Sequence, residues 1–176
     1  MSTPSAHRVA FRTLLCESDT DFQRCLAIRI AVFVDEQGFS MDDELDNKDA
    51  TSDHLLLVAT NEDGTEEDAG TIRWWPKPGK SSEGKMGRVA LQKKFRGGGM
   101  GKLLVMALEE HLRSRRGKGG IASTGQSKLL SIAHSQAYAQ GFYERAGYVR
   151  EGDLFLEDGA DHVRMVKEIQ LEPEEP

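Results

Sequence analysis

Val9, Phe11, Thr13 and Leu15 alternate with more polar neighbours, the period of two that predicts a first strand. Asp19 or Thr20 can cap the next segment, in which Phe22, Leu26, Ile30 and Phe33 recur at helical spacing. An amphipathic helix is therefore predicted to about Val34, ended by Glu36-Gln37-Gly38. After an acidic stretch from Met41 to Asp53, the apolar run His54–Thr60 reads as a strand. The polar loop Asn61–Asp68 separates it from Ala69–Trp75, which Pro76 stops, so the pair predicts an antiparallel hairpin with a long tip. Met86–Leu91 is another short strand; a glycine cluster follows, and then Leu103, Leu104, Ala107, Leu108 and Leu112 at helical spacing. Beyond a break at Gly117–Gly120 come a strand at Leu129–Ala133, a helix from about Ser135 to Ala146, and two strands around the turn dipeptide Asp158-Gly159. The order β-α-β-β-β-α-β-α-β-β predicts an α/β (α+β) fold on one mixed sheet.

The 176 residues suffice for one well-buried core and are short for two, so a single domain over 1–176 is expected, its core at about 8–170 and its tail 171–176 disordered. No apolar run approaches the roughly 18 residues of a membrane span, and Met1–Arg8 lacks the apolar stretch of a secretory signal. The expected location is the cytoplasm, with the nucleus left open, and no membrane partner. A net charge of −6 argues against nucleic acid. The basic cluster Arg113–Lys118 reads as a solvated helix end or as a contact to a cofactor phosphate. Cys16 and Cys25 lack metal or redox spacing and are expected to be reduced core thiols, and no metal site is expected.

Between strand and helix, Arg96-Gly97-Gly98-Gly99-Met100-Gly101-Lys102 points free amides and the positive end of a helix at one place, which suits an anion. A nucleotide-hydrolase loop would need a glycine further upstream and Ser or Thr after the lysine, where Arg96 and Leu103 stand. A dinucleotide fingerprint fails at Lys102 or Leu104. What fits is Arg-x-x-Gly-x-Gly, met by Arg96, Gly99 and Gly101, and it resembles the pyrophosphate loop of the GNAT superfamily of acetyl-CoA-dependent N-acetyltransferases. The other reading is a ligand-free turn between packed elements.

The order of elements is similar to that superfamily's plan across nearly the whole chain, with its short second helix expected in the acidic stretch after Phe39 and helices on both faces of the sheet. Val32–Gly38, the acidic loop before His54, Gly87–Leu91, Phe142–Tyr148 and Asp158–His162 resemble the ElaA-like and YjcF-like branch. The resemblance implies that acetyl-CoA is co-substrate, that the amides from Gly97 through Gly98, Gly99, Met100 and Gly101 to Lys102 hold the pyrophosphate, and that Val89, Ala90 and Leu91 pair with pantetheine. It implies that the Val89 N–H polarises the thioester and that Tyr143 protonates the departing thiolate; Tyr143 could instead fill a helix–sheet seam. His134 stands where many members carry an asparagine that contacts the pantetheine amide.

An amine acceptor is mostly protonated at neutral pH, so transfer needs a base or a water relay to one. The candidates are Glu36, Glu44, Asp46 and His54, with Glu36 first, since a partly shielded carboxylate there could have a raised pKa. The acidic run Asp42, Asp43, Glu44, Asp46 and Asp49 lacks the sixth-position glycine of a calcium loop and reads as a groove wall attracting a cationic amine or as a solvated loop. The expected activity is direct acetyl transfer to a small-molecule amine or protein lysine in a ternary complex, in a possible homodimer. The alternative is a non-catalytic acetyl-CoA sensor or interaction module.

Overall fold

The apolar run of β2 (Asp53–Thr60) is unbroken because both faces of the strand are covered. In the computed structural model, which describes residues 9–80, 82–114 and 126–172, Leu55, Leu57 and Ala59 enter one core and Leu56 and Val58 the other. β1 (Ala10–Leu15) pairs with β2, and β2 with β3 (Glu66–Pro76), both antiparallel. β4 (Glu83–Leu91), β5 (Lys128–Gln136), β6 (Val149–Glu157) and β7 (Ala160–Gln170) complete a seven-stranded sheet of order β1-β2-β3-β4-β5-β7-β6. Every pairing is antiparallel except β4 with β5. Asp158 and Gly159 take φ of 49° and 75°, the two left-handed residues of a tight hairpin turn between β6 and β7.

α1 (Asp19–Arg29) packs on β2, β3 and β4 from one face; α3 (Met100–Ser114) and α4 (Gln140–Arg145) pack from the other. Leu104, Leu108 and Leu112 of α3 reach the larger core with Trp74, Met86 and Met165. The mixed sheet with helices on both faces agrees with the expected architecture, and the short α2 (Met41–Glu44) lies in the acidic stretch.

β3 and β4 each begin three residues before the predicted start, and the helices differ from the sequence pattern at three places. α1 is capped by Ser18, whose hydroxyl accepts from the Asp21 N–H, and beyond Arg29 the chain continues in wider π-helical turns over Ile30–Glu36. Its buried side is Cys25, Ile28, Arg29 and Val32, with Phe22, Leu26, Ile30 and Phe33 only partly covered. Apolar spacing misplaced this face because a buried arginine belongs to it. The helix expected from Ser135 is shorter: β5 runs to Gln136, one 3₁₀ turn follows, and α4 starts at Gln140. The Gly117–Gly120 break, residues 115–118 of the basic cluster, Met1–Arg8 and tail residues 173–176 lie outside the described residues.

Candidate active site

β4 and β5 are paired only over Glu83–Met86 with Leu130–Ala133, although β4 continues to Leu91 and β5 to Gln136. Past that point the strands part, and the edge of β4 turned away from β3 has no strand partner among the described residues. A cavity of about 850 Å³ opens in the split. The register helps: Thr71 faces Ala90 and Arg73 faces Gly87, so Arg88 and Val89 oppose a single β3 residue as a β-bulge. Arg88 takes φ of 51°, a left-handed conformation that strains a non-glycine residue by about 1–3 kcal/mol. Its side chain anchors it, donating to the Asp43 carbonyl at 2.7 Å and pairing with Glu44 at 3.2 Å.

The strand leads through a 3₁₀ turn and Arg96 into Gly97, Gly98 and Gly99, with φ of 85°, 55° and 83°, and α3 begins at Met100. Three successive left-handed residues require glycine for conformation, since a Cβ on any of them would meet nothing within 4 Å. Gly101 is required for space: its Cβ would lie 2.8 Å from Phe142 Cε2. A second cavity, about 580 Å³, lies over the loop between Met100, Lys102 and Arg145 and shares Leu91, Gly101 and Phe142 with the first. The two together make one trough from the helix end to the strand split.

Tyr143 lines the larger cavity from α4, its ring edge-on to Phe142 and Tyr148 at 5.1 and 6.0 Å. Burial pushes its hydroxyl up to about 12, so it stays protonated across the neutral range. Among the described residues that hydroxyl has no hydrogen-bond partner.

The expected base candidates separate. Glu36 lines the cavity, but Arg96 donates to both its oxygens at 2.5 and 2.7 Å and holds its carboxyl below the usual range. The raised pKa expected for it is thereby corrected: an adjacent guanidinium outweighs the slight desolvation of an exposed side chain. His54 does not line the cavity; it is buried against Phe22, with Nε2 3.3 Å from the Asp49 carbonyl, and burial lowers its pKa.

Glu44 and Asp46 belong to a network that the sequence did not show. Arg29, fully buried, pairs with Glu44 and donates to Asp49 at 2.9 Å; Arg73 donates to Asp46 at 2.7 Å and to Asp49 at 2.8 Å. Burial alone would raise the carboxyls of Asp46 and Asp49, but Arg73 and Arg29 outweigh it and hold both low. Within the acidic stretch Glu44, Asp46 and Asp49 are therefore neutralised by arginines from α1, β3 and β4, while Asp42 and Asp43 line the cavity.

At the vertex of the split, Lys85 Nζ lies 2.8 Å from His134 Nδ1 and 3.1 Å from Glu157 Oε1, and His134 Nδ1 lies 3.0 Å from both Glu157 oxygens. All three side chains line the cavity. His134 holds Glu157 down to about 2 against the opposing effect of burial, with Lys85 adding to it, while burial lowers Lys85.

A family model described as acetyltransferase (GNAT) domain matches residues 31–169, most of the chain. The chain belongs to the GNAT family of acetyltransferases. Bacillus subtilis YjcF, an uncharacterized N-acetyltransferase, is 28% identical over 158 residues, covering 89% of this chain and 99% of that one. A Lactobacillus plantarum structure described as an N-acetyltransferase is 30% identical with a TM-score of 0.72, covering 91% and 99% of the two chains. Escherichia coli ElaA, 23% identical, shares the fold at a TM-score of 0.68, covering 91% and 99%. The expected likeness to the ElaA-like and YjcF-like branch is met.

As a GNAT acetyltransferase the protein is an acyltransferase enzyme, and its family uses acyl-CoA. Among the described residues no helix is long and apolar enough to cross a membrane. The glycine loop was legible in the residues and Tyr143 through the resemblance; Arg88, Lys85 and Glu157, which line the same cavity as Tyr143, were singled out by neither. Gly87 beside Arg88 inside a strand was the available sign of the bulge. Lys85 and Glu157 meet His134 only through strand register, which no local spacing encodes.

Proposed function

We propose that the protein is an acetyl-CoA-dependent N-acetyltransferase that passes the acetyl group directly to an amine in a ternary complex. The observation that carries this is the edge of β4 from Gly87 to Leu91, without a strand partner among the described residues, which runs beside a cavity and leads through one 3₁₀ turn into the glycine loop and α3. In this proposal the amides from Gly97 to Lys102 hold the pyrophosphate at the positive end of α3. Val89, Ala90 and Leu91 offer an extended edge to the pantetheine amides. The Val89 N–H, set by the bulge, polarises the thioester carbonyl; backbone donors at a developing oxyanion are worth roughly 3–4 kcal/mol each. Tyr143 supplies a proton to the departing thiolate, a modest demand given a thiol pKa of about 8.5.

Direct transfer is favoured over a cysteine-linked intermediate because neither Cys16 nor Cys25 lines the cavity; they face each other at 3.2 Å beside α1. Arg96 and Glu36 together brace the loop against the end of the π-helical segment. The acceptor class is a primary amine, on a small molecule or a protein lysine.

Thiol release with acetyl-CoA and a panel of primary alkylamines, with mass analysis of the acetylated product, tests this. Tyr143→Phe is expected to lower kcat about 10- to 100-fold while leaving acetyl-CoA affinity unchanged, as suits a proton donor used after binding. Equal kcat in the two proteins would remove Tyr143 from the mechanism.

A further inference from the structure

The split narrows onto a cluster of three titratable side chains, Lys85, His134 and Glu157. His134 is the first β5 residue past the last pair with β4, Ala133 with Met86, so it stands where the strands begin to part. Its Nδ1 faces Glu157 and Lys85, and Phe155 lies edge-on to its ring at 4.9 Å, fixing the ring's orientation. Nε2 has no partner among the described residues. A histidine clamped on one nitrogen and free on the other, in a cavity wall, has the form of a proton acceptor.

The clamp is contested. Glu157 needs a proton on Nδ1, whereas a Lys85 ammonium would donate to that same nitrogen and needs it bare. One tautomer cannot satisfy both. Both Glu157 oxygens lie 3.0 Å from Nδ1, and Glu157 also accepts from Lys85 at 3.1 Å, so the geometry favours the proton on Nδ1 and the lone pair on Nε2. The other charged groups around the cluster are Arg88 on β4, Lys48 in the loop before β2, Asp158 in the β6–β7 turn, and His162 and Arg164 on β7, the last paired with Glu151 at 2.7 Å.

We propose that His134 is the base that takes the proton of the acceptor ammonium, with Glu157 and Lys85 as positioning residues that set its tautomer. This rests on the acetyl-transfer reading above. The ammonium proton passes to Nε2, giving an imidazolium opposite the Glu157 carboxylate. The freed nitrogen forms the C–N bond, the C–S bond breaks with its electron pair left on sulfur, and the thiolate takes the Tyr143 proton. The second proton lost by the nitrogen restores Tyr143, and His134 releases its own to solvent, one per turnover.

Two measurements on the full chain test it. Long-range proton–nitrogen NMR of His134 needs no acceptor. The Nδ1–H tautomer is expected to dominate the neutral ring, with Glu157→Gln moving the balance toward Nε2–H and Lys85→Met moving it further toward Nδ1–H. A balance unmoved by either substitution, or moved the same way by both, overturns the positioning roles. With primary alkylamines, His134→Gln is expected to lose at least about 100-fold in kcat and the acid limb of the pH–rate profile, with acetyl-CoA still bound in calorimetry. An unaltered profile with normal Kd overturns only the base. Failure of the native protein to bind acetyl-CoA overturns instead the transfer reading on which the proposal rests.

Discussion

Gly84 sits where a single methyl group has no room. A Cβ there would lie 2.0 Å from Cζ2 of Trp74, a ring fully buried in the larger core that cannot swing aside. Gly84→Ala is therefore expected to cost about 2–3 kcal/mol by overpacking, read as a lower midpoint in urea at unchanged slope. A midpoint equal to the native one would mean that the strand shifts freely. Nothing local in the sequence marks Gly84, because its constraint comes from a residue on the neighbouring strand. Gly97, Gly98 and Gly99 were legible as a loop for the opposite reason: their left-handed backbone is a local property that only glycine adopts readily. His134 shows the same divide. Its place just beyond the apolar part of a strand was readable, whereas its contacts with Lys85 and Glu157 needed β4, β5, β7 and β6 in register.

At the scale of elements, the ionic network fastens α1, the acidic loop and the bulge of β4 together. Arg29 is enclosed completely and its partner Glu44 nearly so, and removing one member of such a pair leaves the other charge buried and unpaired. Arg29→Leu is expected to destabilise by about 3–5 kcal/mol in denaturant unfolding. A variant as stable as the native protein would contradict this role. The network also fixes a direction in pH. Because the folded pKa values of Asp46 and Asp49 are depressed, their contribution is complete above the unfolded value of about 3.9 and is lost as pH falls below it. Sequence patterning missed the network because it weighs apolar residues: it placed Phe22 and Leu26 inward, while a buried arginine paired with carboxylates set the orientation of α1. The strands and α3 were legible because their burial is apolar and periodic.

For the whole molecule, one sheet runs from β1 to β6 and both helical layers close on it, so we propose that the chain unfolds as one unit. Calorimetry is expected to show a single transition with equal calorimetric and van't Hoff enthalpies; two transitions would divide the chain. The order of the strands and longer helices was readable from end to end, and the resemblance to the family rested on strand, glycine loop and helix coming in that order. The parting of β4 from β5, which makes the trough, was not, because it arises where parallel pairing stops and a bulge turns the strand. The central claim is that this trough seats acetyl-CoA. Calorimetric titration of the native protein and of Gly99→Glu tests it most directly, because a carboxylate in the loop would repel a pyrophosphate. Saturable binding by the native protein that is lost in the variant is the predicted result; no binding by the native protein would contradict it.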